Sequence, residues 1–363
     1  MCGRTACTLH PDEVSRASVY RDRGGKHRQP RWRDGDAEKY QPSYNKSPHS
    51  MSPVLLSRRH FDETAPLDEC VLAAMRWGLV PAWFRADEPS KMQYSTSNCR
   101  SESLLEKKTY KNPILKGQRC VILADGFYEW RKEEKGKQPF FIYFPQTQSQ
   151  GETEDQVEEA KHGDNLKTAC TQKGGLTDLA EEEKATVSWT GWRLLTIAGL
   201  FDCWTPASGG HPLYSCSVIT VDASPNLQGI HDRMPAILDG EEEVRKWLDF
   251  GEVKCLDALK LLKPKNILTF HPVSTLVNNS RNNFPKCLQP VDPQTKKELE
   301  PTTSSKMMRN WLKKSTPTKR KEQDTHRAQG EKQIKQEEQP KSARHLDQWL
   351  QGANKKARTN WNI

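Results

Sequence analysis

No apolar run in this 363-residue sequence is long enough to cross a membrane, and the N-terminus, with Arg4 and no hydrophobic stretch behind it, is neither a signal nor a transit peptide. An intracellular, soluble protein is expected. No CxxC pair occurs among the ten cysteines, at positions 2, 7, 70, 99, 120, 170, 203, 216, 255 and 287, which argues against a zinc ribbon and a thioredoxin-like motif. They read as reduced thiols, and neither a metal nor an organic cofactor is expected. Apolar residues are scarce too. A hydrophobic fraction of 34% and a mean hydropathy of -0.87 are low for a chain folded throughout, so part of it is expected to be disordered. Positive charge is in excess: a net +9 and a pI of about 8.9 suit a polyanionic partner, of which nucleic acid is the commonest.

Short apolar, β-branched and aromatic runs at 70–75, 119–125, 139–145, 192–200, 214–221 and 266–272 predict strands. Helical patterns cover 101–108, 241–250 and 254–262, the second opening on acidic residues as the helix dipole prefers. The fold class expected is α+β, mainly β: an antiparallel, barrel-like sheet with peripheral helices. Residues 1–290 read as one domain. Between 146 and 188 the chain turns acidic and loses its aromatics, as a disordered insertion in a hairpin would. From 291 to 363 it is Lys/Glu/Gln/Pro-rich and reads as a disordered tail. The tail holds two apolar islands, Met308-x-x-Trp311-Leu312 and Leu346-x-x-Trp349-Leu350, each one face of a helical turn of the kind that docks into a partner's groove. Basic clusters at 318–321 and 355–358 suit nuclear import.

Four segments are richer in polar chemistry than a core strand or a plain loop needs. If Met1 is trimmed, Cys2-Gly3-Arg4 begins with an amine and a thiol on adjacent carbons. The amine, with an ordinary pKa near 8, attacks an aldehyde to give an imine, and the thiol closes a five-membered thiazolidine. The second segment runs from Tyr94 through Asn98 and Arg100 to Glu102, where Arg100 is suited to bidentate phosphate binding. In the third, Asp125-Gly126-Phe127-Tyr128-Glu129-Trp130, aromatics flank a carboxyl and are expected to desolvate it. The fourth is His231-Asp232-Arg233-Met234-Pro235. Each has a plainer explanation: Cys2 as a small residue under a strand, Glu129 as a turn residue or a partner of Arg131, Asn98 as a helix N-cap, His231 as a loop histidine.

Taken together, Cys2-Gly3-Arg4, Pro42-Ser43-Tyr44-Asn45, the run Arg76 to Trp83, Asn98 to Glu102, Gly126 to Trp130 and His231 to Pro235 resemble the SOS response-associated peptidase (SRAP) family. The resemblance implies one SRAP domain with a basic cleft for single-stranded DNA, and a thiazolidine crosslink between the N-terminal Cys and the ring-opened aldehyde of an abasic site, with lyase activity through the same imine. It makes Cys2 the nucleophile and Asn98 the partner that orients its amine. Glu129 becomes the acid/base and His231 the second proton-transfer group. Arg4, Arg100 and Arg233 hold phosphates, Asn45 belongs to the same surface, Trp130 and Tyr94 stack on bases, and Trp77 and Pro81 form a wedge at the cleft floor. Ser43 stands where many relatives carry Arg, and the insertion is longer than expected. The tail islands resemble motifs for the replication sliding clamp (PCNA), but Ser305 and Ala343 stand where a Gln is usual and Leu replaces the second aromatic. The implied protein is a nuclear monomer at replication forks. The rival expectations are a Cys-His thiol peptidase acting mainly on its own Met1, with Cys2, His231 and Asn98, and a non-enzymatic reader of modified bases such as 5-hydroxymethylcytosine in duplex DNA.

Overall fold

The structure is a computed structural model that describes residues 2–134, 136–146 and 189–292. The insertion beyond Gln146, the tail beyond Asp292, both apolar islands and both basic clusters lie outside these residues. The described chain is mostly sheet. One sheet joins the strands Thr269–Pro272, Gly136–Tyr143, Gly126–Glu133, Thr5–Cys7 and Ser43–Lys46 in that order. In the larger sheet the strands Leu213–Asp222, Leu195–Trp204, Arg119–Ala124, Met51–Ser57 and Cys70–Trp77 follow one another, and pairing of the last with the first closes them into a ring. The sheet is not antiparallel throughout, as the sequence suggested. Closure uses the parallel register Ser215↔Arg76 and Cys216↔Trp77, and Asn98–Arg100 continues it along the same edge with Val218↔Asn98.

Strands in such a ring are covered on both faces, so they read as near-continuous apolar runs. Cys70–Trp77 is CVLAAMRW, and Arg119–Ala124 is buried at every position. The main core fills this sheet; a smaller cluster of Ala6, Tyr128, Phe141, Val273 and Val277 packs beside the five-stranded one. The turn into Gly126–Glu133 requires its glycine, because a Cβ there would stand 2.5 Å from the Phe141 ring and 2.6 Å from the Ile142 carbonyl oxygen.

The helix Gly240–Leu248 opens on Glu241, Glu242 and Glu243 and buries Val244, Trp247 and Leu248, which share one face at i, i+3 and i+4. With the helix Cys255–Leu259 it falls where the sequence placed it. The helix expected at 101–108 does not form there. The Ser103 hydroxyl donates to the Arg100 carbonyl and Glu102 is held by Arg233, so the chain closes a single 3₁₀ turn, Ser101–Ser103, and becomes helical only at Lys108–Leu115. No helix among the described residues is long and apolar enough to cross a membrane.

Candidate active site

Cys2 is completely buried, packed at the edge of the main core ahead of the strand Thr5–Cys7. Burial pushes its thiol well above the ordinary cysteine value, and the charge of Glu129 pushes the same way, so sulfur is held as S–H at neutral pH. The side-chain amide of Asn98 donates to the Cys2 carbonyl at 2.6 Å. Asn98 begins the short strand on the ring's edge, and the Tyr110 hydroxyl donates to its carbonyl at 3.3 Å. The grip is on the carbonyl, one residue's length from the amine that the resemblance suggested. The other amide atom of Asn98, Oδ1, is buried with no hydrogen-bond partner among the described residues.

Glu129 is 3% exposed and its carboxyl is raised to about 7, chiefly by burial; the amino terminus opposes this and Asp232 adds to it. The flanking aromatics do not surround it. Successive strand residues alternate faces, so Phe127 lies in the main core with Glu129 on its side, while Tyr128 belongs to the smaller cluster and Trp130 packs with it. The interior of the fold is what desolvates the carboxyl. His231 Nε2 stands 3.9 Å from Glu129 Oε2. On the other side of its ring, Nδ1 accepts the Arg233 backbone N–H at 3.0 Å, while the exposed Asp232 carboxylate lies 2.9 Å from the same nitrogen. These two partners favour opposite protonation states. Burial, and then the positive amino terminus, lower the His231 pKa, so the neutral ring prevails, with Nδ1 as acceptor and the Nε2 proton towards Glu129.

Cys2, Asn98, Glu129 and His231 thus converge, from four distant stretches of sequence. The DNA-binding candidates divide. Arg100 and Tyr94 are exposed. Arg233 is 8% exposed and every Nη hydrogen is taken: Nη1 by Glu102 and Asp222, Nη2 by Glu102 and the Thr220 carbonyl. A phosphate meets this guanidinium only by displacing a carboxylate. Trp77 is buried, its indole N–H donating at 2.9 Å to the carbonyl of Ser97, the residue before Asn98, and Pro81 is buried as well, so neither is an exposed wedge. Arg4 and Asn45 turn towards the loop 277–283. Arg4 Nη1 donates to Asn45 Oδ1 and the Val277 carbonyl, and the buried Asn45 amide donates to the carbonyls of Val277, Asn279 and Asn282. Half-buried Trp130 donates to Asn278 Oδ1 at 2.7 Å. Sequence reasoning passed over this loop, whose only signal is the run of asparagines in Asn278-Asn279-Ser280-Arg281-Asn282-Asn283. It passed over Glu102 as a partner of Arg233 as well.

A cavity of about 600 Å³ lined by residues such as Leu55, Leu123, Phe144 and Trp189 contains none of the four converging residues. Among the described residues no group of three or more His, Cys, Asp and Glu is arranged to hold a metal ion.

The model of the SOS response associated peptidase (SRAP) family matches residues 1–280. The chain is 52% identical over 352 residues to the abasic site processing protein HMCES of Xenopus tropicalis, covering 96% of each chain, and 50% identical over 353 residues to the Gallus gallus protein of that name. The abasic site processing protein YoqW of Bacillus subtilis is 29% identical over 253 residues, 69% of this chain and 87% of its own. Among solved structures, a Bacteroides thetaiotaomicron protein superposes with a TM-score of 0.53 at 22% identity, over 80% of this chain and all of its own; that likeness concerns the fold alone.

Proposed function

The chain belongs to the SRAP family, and from that premise we propose that it processes abasic sites in single-stranded DNA by covalent capture on Cys2. The observation that carries this is the convergence of Asn98, Glu129 and His231 on the N-terminal cysteine. With Met1 removed, the Cys2 amine adds to the aldehyde of the ring-opened sugar to give a carbinolamine. Glu129, with a pKa of about 7, is protonated often enough at neutral pH to deliver a proton to the departing hydroxyl, so water leaves and the imine forms. The thiol then adds to the imine carbon; its proton passes to nitrogen, and the thiazolidine closes with one water lost overall. The proton that nitrogen sheds as the imine forms returns Glu129 to its protonated form, and neutral His231, facing this carboxyl, relays protons between it and solvent without net gain or loss.

An imine also acidifies the neighbouring C–H, so β-elimination, and hence strand cleavage, competes with ring closure. Burial of the thiol as S–H favours the order amine first, sulfur second. It disfavours a peptidase built on a pre-formed thiolate, and His231 Nε2 faces Glu129 at 3.9 Å. Release of Met1 is the one peptide cleavage this reading requires: the Cys2 thiol attacks the Met1 carbonyl, Glu129 carries the thiol proton to the Cys2 nitrogen as the peptide bond breaks, and water hydrolyses the resulting thioester to methionine and the free thiol. A nuclear site of action at replication forks, and a sliding-clamp partner reached through Trp311 and Trp349, complete the proposal. The test is a denaturing gel of protein with single-stranded oligonucleotides, one abasic and one intact. A heat-stable shifted band should appear with the abasic strand only and vanish in Cys2→Ser; a band that survives this substitution removes the proposal.

A further inference from the structure

Arg4, Asn45 and Trp130, three residues that the family resemblance assigns to DNA, direct their polar atoms to one seven-residue loop, 277–283. The loop's own asparagines hold it further. Asn278 receives the Trp130 indole, and Asn279 accepts the Arg281 backbone N–H at 3.1 Å. Asn282 donates to the Leu276 carbonyl at 2.8 Å, and Asn283 accepts from the Ser43 hydroxyl and the Tyr44 backbone N–H. The segment, which begins on the end of the 3₁₀ turn Thr275–Asn278, is thereby fixed at every asparagine. Buried Val277 anchors its start and buried Cys287 its exit.

Two side chains at the apex take no part. Ser280 and Arg281 are exposed, and no hydrogen bond or ion pair of either side chain is found among the described residues. Two arginines near the site are committed, Arg4 to Asn45 and Val277 and Arg233 to Glu102, Asp222 and Thr220, whereas Arg100 beside Asn98 is exposed. Arg281 is thus an uncommitted guanidinium on a rigid mount. The mount is close to the chemistry. Asn278 touches Trp130, the residue after Glu129, and three residues of chain span at most about 11 Å. A fixed loop that displays one arginine beside a proposed DNA site has the form of a phosphate contact, because orienting the loop in advance lowers the entropy lost when the strand binds.

We infer that Arg281 binds a backbone phosphate of the single strand, and that Arg4, Asn45 and Trp130 serve this contact by holding its loop. The inference rests on the single-stranded DNA reading above. Fluorescence anisotropy with an intact, fluorescein-labelled single strand keeps covalent capture out of the measurement. Affinities are taken from 50 to 200 mM salt for the wild type, Arg281→Ala, Arg281→Lys and Arg100→Glu, with a thermal melt of each. Loss of one phosphate contact should weaken binding roughly three- to tenfold and make the log–log salt slope shallower by about 0.7, whatever the sequence of the strand. Arg281→Lys should restore the slope, and Arg281→Ala should melt with the wild type. If Arg281→Ala keeps the wild-type slope while Arg100→Glu loses part of it, the inference is wrong and the DNA reading stands. If the wild type itself shows no salt-dependent binding to the single strand, the reading falls and the inference with it.

Discussion

Replacing Glu129 with Gln separates what this carboxyl does for the reaction from what it does to the fold. The side chain is 3% exposed and its pKa is raised from 4.5 to about 7, mainly by burial. A folded-state pKa above the unfolded one favours the fold at low pH, and this contribution is lost as pH rises from about 4.5 to 7. By pH 8 the ionised carboxylate costs the fold about 3 kcal/mol relative to a neutral group. The neutral, isosteric Gln avoids that cost. Glu129→Gln should therefore melt several degrees above the wild type at pH 8 and with it near pH 5. Catalysis should move the other way. Wild-type capture needs a neutral amine and a protonated carboxyl, so its single-turnover rate should be bell-shaped, falling on the alkaline side above about pH 7. Glu129→Gln should lose that descending limb and be slower by roughly ten- to a thousandfold near pH 7, in formation and in reversal alike. The assay is a single-turnover time course of adduct formation over a pH series, with release followed under excess competitor DNA. Wild-type rates in both directions, or no pH-dependent difference in melting, would refute the reasoning.

Arg100→Glu should weaken binding to single strands of any sequence without lowering the melting temperature, because Arg100 is exposed and its side chain makes no hydrogen bond or ion pair among the described residues; salt-titrated anisotropy and a melt decide it. Arg233→Ala should behave differently, lowering stability by about 1–3 kcal/mol, since it leaves the Thr220 carbonyl and two carboxylates without their shared cation; denaturant titration measures this. Asn98→Ala removes the hydrogen bond that holds the Cys2 carbonyl and should slow adduct formation at saturating protein while leaving affinity within a few-fold. Gly126→Ala forces a Cβ against Phe141 and the Ile142 carbonyl and should cost several kcal/mol in a denaturant melt.

Four of the five ring strands were legible because they are covered on both faces and must be apolar along their length, as in Leu195–Trp204 and Leu213–Asp222, whereas Met51–Ser57, with Ser and Pro in its first half, was passed over. Thr5–Cys7 and Ser43–Lys46 gave no such signal, being short and half polar, yet they seat Cys2 and Asn45. Asn98, Glu129 and His231 could be picked out as chemistry in excess of what a strand or turn needs. Their partners could not. Arg4 meets the Val277 carbonyl across 273 residues of sequence and Arg233 meets Glu102 across 131, and nothing local in either segment announces such a bond. For the same reason arginines that resemble phosphate ligands in the sequence prove to be internally bound, and the aromatic neighbours credited with desolvating Glu129 fall on the opposite face of its strand.

The most direct test of covalent capture is the intact mass of the adduct formed with an abasic single strand by three proteins: wild type, Cys2→Ser, and a form that keeps an extra residue before Cys2. Capture by amine and thiol together predicts one adduct for the wild type, at the mass of the protein without Met1 plus the oligonucleotide less one water, and no heat-stable adduct for the other two. An adduct from the extended protein would show chemistry through the thiol alone, and an adduct from Cys2→Ser would show that the cysteine is not the captor; either result contradicts the account.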